Sequence, residues 1–448
     1  MSETAQSAGV EPRQPWWRAI GPALITACVV FGPGSLLINS KVGATYQYDL
    51  LWLLIMTGVL MGTYVTMSAR IGVVGQGSVC QLIASRMGRP LAVILGINLF
   101  LICSAFQFSN NIAVVAAVDA LGVARVFGDP AAMSKNQLNW INSGVLIVFN
   151  ALIVGLVFSL GQVYRVLERG MKVMVALILV CFLVNLLVVR PNLLSLLWGL
   201  IPGIPEGVSL SWPRRDVSGV SDPMILIASL MGTTFSVGGA LFQSNLVREK
   251  GWKVEDYDRG FRDAATGVCI LTGISAMIMA TAGTVLFNRV PASEISDIGV
   301  LARQLEPLLG SVTHALFTIG LLAVAMNPFV INAMIGGTIL ADGLGQPPKL
   351  SDPWPRRFTV VVLLIGMAVA LLVTHTSIKP VDAIVFGQAL TVVGNPLMAA
   401  AILYVANRRD IMGERRNRLA TNLLGSLGLI LVILMATRVL WRLVLQFS

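Results

Sequence analysis

Charge is scarce in this sequence. Only 12% of its 448 residues are Asp, Glu, Lys or Arg, about half the share of an ordinary soluble domain. Histidine occurs only as His314 and His375, and neither has a second ligand residue at metal-binding spacing. The cysteines (Cys28, Cys80, Cys103, Cys181, Cys269) show no C-x-x-C spacing or paired arrangement, which disfavours a structural disulfide or zinc site. No nucleophile–base set and no phosphate-cradling glycine loop is present, so the reading is of a non-enzyme without a cofactor. Residues 1–15 lack the apolar core of a cleaved signal peptide and read as a flexible cytoplasmic tail. No soluble domain is expected.

Apolar residues dominate instead, at 56% of the chain, with mean hydropathy +0.80. This composition defines an all-α polytopic membrane protein. The net charge of +10 first suggests nucleic acid, but its distribution gives another explanation. Of the Lys and Arg residues, 21 fall in one alternating set of segments between apolar runs and 10 in the other, with Lys41 inside a run. The positive-inside rule makes the richer set cytoplasmic, with the N-terminus inside and the C-terminus outside. The charge orients the chain in a lipid bilayer; no nucleic-acid partner is needed.

Two apolar runs carry breaks at their centres. Residues Ile20 to Leu37 are long enough to span, yet contain Gly32-Pro33-Gly34-Ser35. Proline removes a backbone donor and glycine accepts almost any conformation, so a helix should open there. Irregular backbone at that depth is tolerated only where it lines a cavity. The run from Met224 to Leu246 holds Ser236-Val237-Gly238-Gly239-Ala240, about 200 residues later. Two interrupted spans in matching places point to internal repeats around a midplane site. The plainer reading is that small residues let helices pack closely.

Eleven spans are expected: two five-helix repeats of opposite topology, with helices one and six broken, and one extra helix. Residues 1–18 form the tail, 19–190 the first repeat, 191–222 an external loop, 223–406 the second repeat, and 407–448 a cytoplasmic loop and the last span.

The motif order resembles the Nramp (natural resistance-associated macrophage protein) family of divalent-metal transporters. Gly21-Pro22, the Gly32-to-Ser35 break and Leu50-Leu51-Trp52 follow that family's first helix, and Ser68 to Val74 its loop after helix two. Leu308-Leu309-Gly310, Gly336-Gly337 and Gly343 resemble its helix eight. Gln388, Pro396 and Arg409 to Asn417 resemble its tenth helix and following loop. The resemblance covers nearly the whole chain after residue 18. It implies the fold of the amino-acid/sodium symporter type.

The family's binding chemistry is altered. Its Asp-Pro-Gly-Asn at the first break, where Asp and Asn bind metal, becomes Gly32 to Ser35. Its Met-Pro-His at the sixth span becomes Ser236-Val237-Gly238, which removes the soft thioether that favours transition metals. The acidic pair associated with proton movement aligns with Gln107 and Asn110, and a further Asp on the first helix with Asn39. Every carboxylate has become neutral.

The expected substrate-binding set is Gly32, Pro33, Gly34, Ser35, Asn39, Thr233, Thr234, Ser236, Gly238, Gly239, Asn327 and Gln388, with Asn332 a further cavity-wall amide. Ser35 and Asn39 share a helical face, and equally fit a pair of interhelical polar contacts. The hydroxyls before the second break equally fit bonds to their own helix. Lys41 lies about 200° round the helix from Asn39 and about 9 Å beyond Ser35, which fits snorkelling to the interface better than ligation.

These substitutions leave hydroxyls, amides and backbone carbonyls, a setting read here as suited to a small anionic or zwitterionic organic solute held by half-helix N-termini. A divalent cation is the alternative, carried partly hydrated as magnesium prefers, or manganese or iron as in the family. A non-transporting receptor on a transporter core is a third reading. The expected partners are a small-molecule or ion substrate and the bilayer, in a bacterial cytoplasmic membrane.

Overall fold

The computed structural model describes residues 31–120, 126–129, 132–159, 163–206, 208–216, 219–289, 328–376 and 380–447. They fold into helices α1 (Pro33–Tyr46), α2 (Leu51–Val74), α3 (Val79–Met87), α4 (Arg89–Ala120), α5 (Lys135–Ser159), α6 (Val163–Val189) and α7 (Leu193–Trp198). A hairpin of β1 (Arg214–Asp216) and β2 (Gly219–Ser221) follows. Then come α8 (Ile225–Thr234), α9 (Val237–Glu249), α10 (Tyr257–Val285), α11 (Pro328–Gly343), α12 (Pro353–Thr374), α13 (Pro380–Asn407), α14 (Arg409–Met412) and α15 (Leu419–Phe447). Among the described residues nine segments are long and apolar enough to cross a membrane, α8 and α9 together forming one of them. The chain is therefore an all-α integral membrane protein.

Burial ranks these segments from centre to rim. In the α8–α9 segment 89% of the spanning window is buried, against 22% for α5. The interrupted span is thus central, and α5 presents most of its surface outward, where lipid replaces protein contacts. Helix α1 packs chiefly against α10, α2 against α9 and α10, α4 against α12, and α13 against α15. The α1–α10 crossing depends on Gly43, since a Cβ there would lie 2.4 Å from the Met279 carbonyl oxygen. Close backbone approach of this kind is how helices associate without a hydrophobic driving force.

Three sequence expectations need correction. Ser68 to Val74, which the resemblance places in the loop after helix two, are helical and complete α2, with Ala69 and Val73 in the apolar cluster formed with Val247 and Trp252. The segment between residues 190 and 222 is not plain loop. Asn192 caps α7 by accepting from the Leu194 and Ser195 amides, and the β1–β2 hairpin follows. Buried Asp222 ends it, paired with Arg438 of α15. The second break also lies earlier than its glycines: α8 stops at Thr234, and Val237 to Ala240 already belong to α9.

A candidate substrate site at the two helix breaks

The first break is seen from its C-terminal side, where α1 begins. Gly32 is the N-cap of α1, with extended backbone and no side-chain cap, and Pro33 occupies the first helical position. Proline there sacrifices an amide that would be unpaired anyway. The uncapped first turn leaves backbone donors facing the break. Residues 1–30, which hold the N-terminal half of the expected first span, lie outside the described residues.

On α1 the Asn39 amide nitrogen donates to the Ser35 carbonyl at 2.7 Å and to its hydroxyl at 3.1 Å. These are bonds along one helix, not between helices. They orient the amide so that Asn39 Oδ1 is buried without a partner. Ser35 and Asn39 are themselves buried.

At the second break Phe235 and Ser236 leave the helical path. Ser236 Oγ accepts from the Gly239 amide at 3.4 Å as the N-cap of α9, and Asn395 of α13 donates to the Phe235 carbonyl at 3.2 Å. Thr233 Oγ1 is spent on the Leu230 carbonyl, three residues back, at 3.0 Å. Thr234 Oγ1 is buried without a partner. A Cβ at Gly238 would lie 2.4 Å from Leu99 Cδ1, so this glycine serves packing between α9 and α4. Helix α8 packs on α1, which brings the two broken spans together.

The aligned proton-path positions form part of a buried amide network. Asn110 donates to Gln107 Oε1 at 3.2 Å, and Asn332 of α11 reaches the same oxygen at 3.4 Å and the Cys103 carbonyl at 2.8 Å. Asn111 donates to the Gln107 carbonyl at 2.8 Å, and Asn150 of α5 to Asn111 Oδ1 at 2.6 Å. The network abuts the first break: a Cβ at Gly32 would stand 3.4 Å from Asn110 Oδ1 and 3.3 Å from Pro328 Cγ. None of its members titrates near neutral pH. Asn111 and Asn150 were missed by sequence reasoning; the available signal was a polar amide inside an apolar run.

Asp342 at the end of α11 was missed as well. It is buried, accepts from Ser78 Oγ at 2.5 Å and Asn245 Nδ2 at 3.1 Å, and leaves Oδ1 unpartnered. It ties α3, α9 and α11 together at the arginine-rich end of the bundle. His375 caps α12, with Nε2 3.0 Å from Ser143 Oγ and its ring against Trp140. Asn327 and His314 lie outside the described residues, and Gln388 falls on α13 with its side chain outside the description. Among the described residues no three His, Cys, Asp or Glu side chains gather as a metal cluster.

An all-α membrane protein whose most buried span is interrupted at Phe235 and Ser236 and packs on α1 has the architecture of a membrane transporter rather than an enzyme. More specifically, the chain belongs to the Nramp family: the family model "Natural resistance-associated macrophage protein-like" matches residues 23–442. Among its relatives are the divalent metal cation transporter MntH of Deinococcus radiodurans, 24% identical over 98% of this chain and 92% of that one, and that of Chromohalobacter salexigens, 26% identical over 98% and 95%. Solved structures of a manganese transporter from Eremococcus coleocola share the fold. One aligns with TM-score 0.74 at 20% identity, covering 95% of this chain and 87% of that one. Another, in complex with an aromatic bis-isothiourea substituted compound, aligns with TM-score 0.73 at 19% identity over 95% and 87%. These relatives are named for metal cations, which favours the cation alternative over the organic-solute expectation.

Proposed function

We propose that this protein carries a divalent metal cation by alternating access, with the ion held partly hydrated between the two breaks. The observation that carries the reading is the chemistry of the orphaned atoms. Asn39 Oδ1 and Thr234 Oγ1 are buried oxygens without partners among the described residues, one on α1 and one at the end of α8. Hard oxygen donors suit a hard dication, and magnesium retains several of its waters. The C-terminal end of α8 adds partly negative backbone carbonyls. Ser35 and Ser236 complete a set of neutral oxygen ligands, and Gly32, Pro33, Gly34, Gly238 and Gly239 shape the backbone around it. The organic-anion reading relied on half-helix N-termini, and the oxygens left unpaired beside them weaken it.

The test is uptake into liposomes loaded with a magnesium-sensitive dye. Saturable magnesium entry is expected, reduced about fivefold or more by Asn39→Ala or Thr234→Val, since each removes a buried ligand worth about 1–3 kcal/mol. Entry of small carboxylates with no response to magnesium would return the protein to the organic-solute reading.

Proton coupling along the family route is not expected. Gln107, Asn110 and Asn39 cannot release a proton. Magnesium entry should proceed without internal acidification. Acidification abolished by Gln107→Ala or Asn110→Ala would contradict this. Acidification that survives both and disappears in Asp342→Asn would place coupling on that buried carboxylate instead.

A further inference from the structure

A cavity lined by charged side chains lies away from the breaks. It has a volume of about 520 Å³ and opens between the end of α2, the start of α10 and the loop joining α14 to α15. The positive-inside rule puts this arginine-rich end in the cytoplasm. Its wall holds Arg70, Arg415, Arg416 and Arg418.

Arg70 is the decisive residue. It belongs to α2, a spanning helix, where a cation is expensive and normally paired. No carboxylate among the described residues forms an ion pair with it. The two acids on the same wall, Asp258 and Glu414, leave it unpaired and lower but do not cancel the positive excess. Its Nη2 donates to Asn417 Oδ1, while Nε is buried with no acceptor. Asn417 is fixed in turn by its amide bond to the Ala406 carbonyl at 3.1 Å and by donation to Asn422 at 2.8 Å. The guanidinium is thus held in place with a donor to spare. Arg415 lies over the Tyr257 ring at 4.9 Å, and Arg416 and Arg418 are exposed at the mouth.

We propose that this cavity is a binding site for a phosphate-bearing anion, with Arg70 at its floor and Arg416 and Arg418 at its rim. A planar guanidinium anchored by Asn417 and Tyr257 with its Nε donor unpartnered can turn toward phosphate oxygens, and phosphate accepts from several arginines at once. Two sources share this chemistry: the headgroup of an anionic phospholipid and free phosphate of the cytoplasm. Basic pockets between helices on the cytoplasmic side are the usual setting for the first. Its lining residues are distinct from the described residues placed at the two breaks.

The experiment uses the full-length protein in nanodiscs of neutral phosphatidylcholine, with Tm as the readout. Phosphatidylglycerol is varied in one arm and inorganic phosphate titrated in the other. At least one probe should raise Tm saturably, and which one does identifies the source. Arg70→Gln should weaken half-saturation about tenfold or more, as expected for loss of a charge-assisted contact, and Arg416→Gln/Arg418→Gln should weaken it by a smaller factor. The proposal is overturned if neither probe shifts Tm, or if both variants respond like the unmodified protein. Should Arg70→Gln fail to fold, the rim variant decides: an unchanged half-saturation point rejects the site.

Discussion

Manganese should bind the unmodified protein weakly, and the triple variant Gly32→Asp/Ser35→Asn/Ser236→Met should bind it at least a hundredfold more tightly. Micromolar affinity requires about 8 kcal/mol, which neutral oxygens competing with water do not readily supply. The variant adds a carboxylate, an amide and a soft thioether at the positions where the family resemblance places metal ligands. Each charge-assisted or metal-directed contact contributes on the order of 1.5–3 kcal/mol, so the three together reach the required range. The backbone accommodates the change: Gly32 has φ −118, open to any residue. A Cβ there needs only a shift of a few tenths of an ångström at Pro328, and it would face Asn110. Titration calorimetry with manganese reads the result, with magnesium uptake as the control for folding. Micromolar manganese binding by the unmodified protein would overturn the neutral-site reading. So would a triple variant that still carries magnesium but shows no gain for manganese.

The other large effect is expected at the opposite end of the bundle. Arg438 Nη2 meets Asp222 Oδ1 at 2.7 Å, Nε reaches the same oxygen at 3.0 Å, and Nη2 also donates to the Ser211 carbonyl at 2.6 Å. The two side chains are 5% and 0% exposed. Asp222 Oδ1 also accepts the Met224 amide at 3.1 Å, just before α8 begins. This pair therefore fastens the segment before α8 and the start of the interrupted α8–α9 span to α15. Removing one partner strands a buried charge, which costs about 3–5 kcal/mol, whereas replacing both by apolar residues is often neutral. Arg438→Met should lower the unfolding midpoint strongly, and Asp222→Leu/Arg438→Met should recover most of the loss. A single substitution costing no more than an ordinary surface change, about 0.5 kcal/mol, would show that the pair holds nothing in place.

Much of the architecture was legible in the chain because membrane insertion is governed by local composition. Apolar runs of spanning length, separated by polar segments of alternating charge content, define the helices before any packing is considered. The Gly-Pro-Gly of the first break is equally local, since proline and glycine act on their own backbone. The second break is not. Val237-Gly238-Gly239 reads as the interruption, yet those residues continue in helix. Phe235 and Ser236 open instead, where Asn395 of another helix takes up the freed Phe235 carbonyl. Gly238 is small because Leu99 lies against it.

The site divides along the same line. Composition and spacing alone identify the residue types available at the breaks: hydroxyls, amides and no carboxylate. Which of those atoms remain free is a tertiary matter. Thr233 and Thr234 are adjacent and chemically identical, but one hydroxyl bonds its own helix and the other is left without a partner. Asn150 and Asn332 join the Gln107–Asn111 pair of α4 from two other helices, a convergence no sequence separation encodes. Arg70 and Asp342 stand in apolar surroundings as unremarked single charges in the sequence. Only packing shows that each is held by neutral partners, Arg70 by Asn417 and Asp342 by Ser78 and Asn245. Helix content follows from each residue's own transfer free energy. Unpaired polar atoms arise from the competition among distant groups for the same buried partners, which is settled only when the helices meet.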